Sequence, residues 1–220
     1  MKKTKIAFIL NIVIVSLTII ASIVMFTGFR FMHGTEIVLE ATKLQMFSFF
    51  TVDSNIFMGI VALIVAYYEY KLLNKSIKEL PRKLYLLKLI ATAGVSLTFL
   101  VVFTYLGYIA EGGILSLIKN SNLFFHLLIP VLSIITFVFF EKTNKLKFKD
   151  TIYGLIPTMI YAIYYLINIL IHMENGKVSP KYDWYWFVQN GVWTAIFVVP
   201  IIFLLAYGIS YLLWKINKER

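Results

Sequence analysis

Six long apolar runs, separated by short polar segments, order the sequence: residues 6–27, 46–68, 84–110, 122–140, 151–171 and 187–214. At 1.5 Å of rise per residue, about 20 helical residues cross the roughly 30 Å hydrocarbon core of a bilayer. The pattern therefore predicts an all-α polytopic bundle of six transmembrane helices forming one domain over residues 1–220. The first run follows Lys2, Lys3 and Lys5. It exceeds the apolar core of a signal peptide, and no small-x-small cleavage site closes it, so it is read as the first span. Pro81 marks a loop, and Gly112-Gly113 ends the third run. Pro157 and Pro200 are read as ordinary bends. The Tyr182-Asp183-Trp184-Tyr185-Trp186 cluster is read as an interfacial aromatic anchor before the sixth run.

Polar side chains inside these runs are the informative departures. A central Asp costs roughly 2.5 to 3.5 kcal/mol on insertion scales, so such groups face a bundle interior or a watery cavity. At about 100° per residue, Ser48, Thr51, Ser54 and Asn55 share one stripe roughly 120° wide, with Asp53 nearly opposite. In the fourth run, Pro130 has no N–H to donate to the carbonyl of His126, which predicts an irregular helix beside that histidine. In the fifth, Tyr161, Tyr165, Asn168 and His172 recur at helical spacing and give a second polar-edged stripe. Lys88, near the start of the third run, lies within snorkelling reach of the membrane surface.

Composition agrees: 60% of the chain is hydrophobic, 17% aromatic and only 15% charged. Absence of cysteine removes disulfides, thiolate nucleophiles and Cys-ligated metal. The net charge of +10 sits in short segments between spans, so anionic phospholipid is the expected counter-charge and nucleic acid is not. Counting Lys88 with its neighbouring loop, 16 Lys and Arg lie on the side of the two termini and 5 on the other. That asymmetry predicts both termini in the cytoplasm.

With this orientation Thr51 lies about 7 Å and His126 about 6 Å below the outer boundary. Glu111, Asn168, His172, Gln189 and Asn190 fall in the same outer third, and the inner halves read as aliphatic and aromatic. A hydroxyl level with a neutral histidine is sufficient for a nucleophile and general base. Thr51 and His126 are therefore the catalytic candidates, in a cavity expected between the outer halves of the second, fourth and fifth helices. Ser48, Asn55, Asn168 and His172 are substrate-binding candidates, with Asn55 or Asn168 as an oxyanion donor. No HExxH-type spacing occurs, and neither metal nor cofactor is expected. The competing readings are a non-catalytic carrier or receptor binding a lipid or small molecule in the same cavity, and a structural interaction protein.

The order of residues also resembles the six-span androgen-induced and androgen-dependent integral-membrane threonine hydrolases and their bacterial relatives. Phe49-Phe50-Thr51 is similar to the nucleophile segment of that family, and His126-Leu127-Leu128-Ile129-Pro130 to its catalytic-histidine segment. Phe50-Thr51-Val52-Asp53-Ser54-Asn55, the lysine-rich loop after the fourth span and the Tyr-Asp-Trp-Tyr-Trp-Phe entry to the last resemble the bacterial branch. Asn55 and a shortened histidine region depart from the animal enzymes. The resemblance covers nearly the whole chain. It implies hydrolysis of membrane fatty-acyl esters, known best for fatty acid esters of hydroxy fatty acids, with Thr51 as nucleophile, His126 as base and a bacterial plasma membrane as the location.

Overall fold

A computed structural model describes residues 1–32, 41–110, 112–185, 188 and 192–218. Among these residues, six helices are long and apolar enough to cross a membrane. They are α1 (Lys2–Thr27), α2 (Phe50–Leu73), α3 (Arg82–Leu106), α4 (Leu123–Phe140), α5 (Phe148–Ile171) and α6 (Val192–Asn217). The protein is thus an all-α, integral-membrane bundle. Gly28 ends α1 in the left-handed conformation, φ 71°, and its N–H returns to Met25 O and Val24 O, a backbone state that glycine adopts without a Cβ penalty.

Two helix starts differ from the hydropathy boundaries. The second run opens with a 3₁₀ segment, Lys43–Ser48, and α2 begins only at Phe50, so Ser48 precedes the helix and leaves the predicted stripe. The fifth helix starts earlier, at Phe148, because Asp150 Oδ2 accepts the Lys147 N–H at 2.7 Å and caps its first turn. It is wound as 3₁₀ as far as Leu155 and becomes α from Ile156, at Pro157. The expected entry to the sixth span, including Gln189 and Asn190, lies outside the described residues, as do Glu111, His33, Glu36 and Glu40.

The third helix is the centre of the bundle and packs against α2, α4, α5 and α6. Helices α1 and α2 lie close together, with Gly59 facing Thr18. One core cluster, including Ile14, Met58, Val61, Ala91, Val95, Phe125 and Ile129, joins α1 to α4. A second, around Leu89, Ala93, Phe137 and Leu213, joins α3, α4 and α6. Ile160, Ile163, Ile167 and Leu170 of α5 and Ile201 and Leu204 of α6 stay exposed, which suits a lipid-facing surface.

The two ends of the bundle differ in chemistry. At the basic end, Met1 lies beside the loop 74–81, and Asn217 Oδ1 accepts the Thr143 N–H of the loop 141–147. Asn217 donates to Phe137 O and Glu141 O, and the Arg82 guanidinium meets Asp150 at 2.5 Å. At the aromatic end, α5 leads through a two-residue antiparallel hairpin, Met173–Glu174 with Lys177–Val178, into residues 179–185. Lys88 does not snorkel: its side chain is 1% exposed and points into the bundle, because two polar partners, Asn11 and Glu141, await it there.

Candidate functional site

The first turn of α2 sits beneath an aromatic cluster. Its Phe50 N–H donates to the Tyr185 hydroxyl at 3.1 Å, so a tyrosine satisfies one of the orphan donors that every helix start leaves. Burial pushes the Tyr185 phenol above the ordinary tyrosine range, which keeps this hydroxyl protonated. The Phe50 ring meets Tyr161 edge-on, with centroids 5.3 Å apart, and Phe49 meets both Trp184 and Tyr185. Ser48 contributes through its backbone: its carbonyl accepts the Tyr161 hydroxyl at 2.6 Å, while Trp184 Nε1 donates to the same Tyr161 oxygen at 3.0 Å. Trp184 and Tyr185 of the expected interfacial anchor are therefore packed onto the start of α2, and Trp186 lies outside the described residues.

The polar stripe of α2 divides between two neighbours. Ser54 shares a 3.3 Å hydrogen bond with Thr98 of α3. Asn55 turns to α4: its amide nitrogen donates to Thr51 O at 2.7 Å within α2 and to Phe125 O at 3.0 Å across the interface. Both amide hydrogens are thereby committed to backbone carbonyls, and Asn55 Oδ1 stays buried without a partner among the described residues. Thr51 is half-buried, beside this clamp.

His126 follows Phe125 directly and is 1% exposed. The surrounding Leu123–Leu128 is wound with π turns, and the Ile129 N–H reaches back five residues to Phe124 O just before Pro130, the irregularity expected there. Nδ1 of His126 lies 2.5 Å from Leu117 O. A carbonyl only accepts, so Nδ1 carries the proton and Nε2 keeps its lone pair. Among the described residues the Thr51 and His126 side chains do not hydrogen-bond each other. The fold brings together the segments that carry them, with Asn55 as the link.

The other two candidates hold the aromatic segment in place. Asn168 Nδ2 donates to Tyr182 O at 2.7 Å, and the His172 ring stacks on Tyr182 at 3.6 Å with Nδ1 2.8 Å from Asn168 O. Tyr165 donates to Asp183 at 2.5 Å, and Asp183 accepts the Val188 N–H through its other oxygen at 2.9 Å.

At the basic end the structure assembles polar groups where the sequence pattern reads as aliphatic. Asn11 of α1, Glu69 of α2, Lys88 of α3 and Glu141, just beyond α4, are buried together. Asn11 Nδ2 donates to Glu69 Oε2 at 2.9 Å and to Glu141 Oε1 at 2.8 Å, while Lys88 Nζ donates to Asn11 Oδ1 and lies 3.4 Å from Glu141 Oε1. Each member interrupts, or closes, an apolar run, and that was the available signal. Among the described residues no group of three or more His, Cys, Asp and Glu is arranged to hold a metal ion. Compared with protein-family models, curated proteins and solved structures, the chain gives no match.

Proposed function

We propose that this protein is an intramembrane hydrolase of lipid acyl esters, with Thr51 as nucleophile and His126 as general base. The observation that carries the reading is the Asn55 amide, which fastens the Thr51 turn of α2 to the residue before His126. Its companion is the tautomer of His126, with Nδ1 engaged by Leu117 O and Nε2 left as the proton acceptor.

In the proposed reaction Thr51 Oγ1 attacks the ester carbonyl as its proton passes to His126 Nε2. The tetrahedral adduct collapses, the alkoxide departs with that proton, and the acyl group remains on Thr51. Water then attacks the acyl-threonine, giving a proton to Nε2; the carboxylic acid departs as the bond to Oγ1 breaks, and Thr51 Oγ1 takes that proton from Nε2. Asn55 Oδ1, a buried acceptor without a partner among the described residues, suits a donor brought by water or by a hydroxylated substrate. Asn55 is thus assigned to positioning, because both of its amide hydrogens are in use. We further propose that the basic end faces the cytoplasm of a bacterial cell, which sets Thr51 toward the outer leaflet.

The test is labelling of the purified protein with a fluorophosphonate probe alongside turnover of a panel of long-chain acyl esters. Wild type is expected to label and to turn over at least one ester. Thr51→Ala is expected to lose both, and His126→Ala most of the turnover. The double variant should be scarcely worse than either single one, since the pair acts as a unit. Undiminished labelling of a well-folded Thr51→Ala variant would reject Thr51, and unimpaired ligand binding without turnover would favour a carrier.

A further inference from the structure

Charges buried at the basic end do not balance. Among the described residues, Lys88 is the one cation paired with these carboxyls, and the neutral amide of Asn11 donates to both, while Asn217 donates to the Glu141 backbone carbonyl. With both carboxyls ionised, a net negative charge would be enclosed among four helices in a low-dielectric interior, where an unpaired ion is strongly disfavoured. One proton cancels it. Moreover, Glu141 Oε2 is buried with no hydrogen-bond partner among the described residues, an unsuitable state for a carboxylate oxygen and an open position for a proton.

Three members of the cluster have sequence neighbours on the wall of a cavity at this end. A cavity of about 360 Å³ at the basic end is lined by Leu72, Tyr85, Lys142 and Thr143, among others. Leu72 lies one turn beyond Glu69, Tyr85 one turn before Lys88, and Lys142 next to Glu141. Lys78, Glu79 and Lys145 also line it and, with Lys142, are its charged lining residues. Along α2, Glu69 is about 27 Å from Thr51, so this site is separate from the proposed hydrolase centre and does not rest on it.

We propose that Asn11, Glu69, Lys88 and Glu141 form a proton-binding site in which the two carboxyls hold one exchangeable proton between them, taken up from the basic end. On uptake an O–H bond forms at a carboxylate oxygen as one O–H bond of hydronium breaks and leaves water. Asn11, donating to both carboxylates through one nitrogen, links them into one site, so that either carboxyl can carry the proton. Lys88 limits the site to a single proton by neutralising the other carboxylate.

Infrared spectroscopy of the protein in lipid nanodiscs at neutral pH tests this through the C=O stretch of protonated carboxyl groups. Wild type is expected to show a band component that shifts on H₂O/D₂O exchange and is absent from both Glu69→Gln and Glu141→Gln, because each leaves one carboxylate matched to Lys88. Lys88→Gln should raise that component about twofold, both carboxyls then being protonated. Retention of the component in either glutamine variant, or no gain in Lys88→Gln, overturns the proposal. Should one glutamine variant fail to fold, the other decides alone. Loss of the component in wild type when sodium replaces potassium at constant pH would assign the site to a metal cation and equally overturn it.

Discussion

A single carboxamide at position 55 joins two helices by donating one hydrogen within α2 and the other to α4. Interhelical hydrogen bonds in membranes average about 0.6 kcal/mol and reach about 1.7 kcal/mol, so Asn55→Ala should cost an amount within that range in reversible unfolding from mixed micelles. If the link positions Thr51 for reaction, the same variant loses turnover in greater proportion than stability. Tyr185 works at the same scale, capping the Phe50 N–H. Because burial holds its phenol above the usual range, its contribution is complete below the ordinary tyrosine value of about pH 10 and declines as pH rises beyond it. Tyr185→Phe should flatten the alkaline fall in thermal midpoint, and an unchanged profile would assign that fall to other groups.

Between elements, α1 fits closely on α2. A Cβ built on Gly59 would stand 2.7 Å from Thr18 Cγ2 and 2.9 Å from Thr18 Cβ, closer than side chains tolerate. Gly59→Ala must therefore part the helices, and it is expected to cost roughly 1 to 3 kcal/mol, as other overpacked cores do. Thr18→Ala removes the nearer methyl but leaves the Cβ, so the double variant should recover part of the loss in a double-mutant cycle. Strict additivity would show that the two residues do not meet. The fourth helix is shaped by sequence in another way: Pro130 lacks the N–H that would continue α winding, and the turn before it widens around His126. That irregularity was legible from one residue type and its spacing.

For the whole molecule, the proposed orientation in the membrane rests on where lysine and arginine collect. Thiols introduced at Lys75 and Lys145 should be protected in intact cells and one at Gly176 should react, since the first two lie in loops at the basic end and Gly176 at the aromatic end. The reverse pattern would place Thr51 toward the cytoplasm. Hydropathy by itself determined the number of spans, their approximate limits and the all-α class, because an apolar segment of this length in lipid must satisfy its backbone internally and does so as a helix. Local residue chemistry determined the disturbance beside Pro130. Tertiary structure decided the rest. Ser48 left the stripe because the chain begins α2 at Phe50, and Asn168 and His172 were taken up by Tyr182 because the chain folds back over α5. Lys88 turned inward because Asn11 and Glu141, 77 and 53 residues away in sequence, arrive beside it and supply the partners that water would otherwise provide. Helical period fixes which side chains share a face of one helix. It carries no information on which face of which other helix they meet, and that is set by close packing among all six.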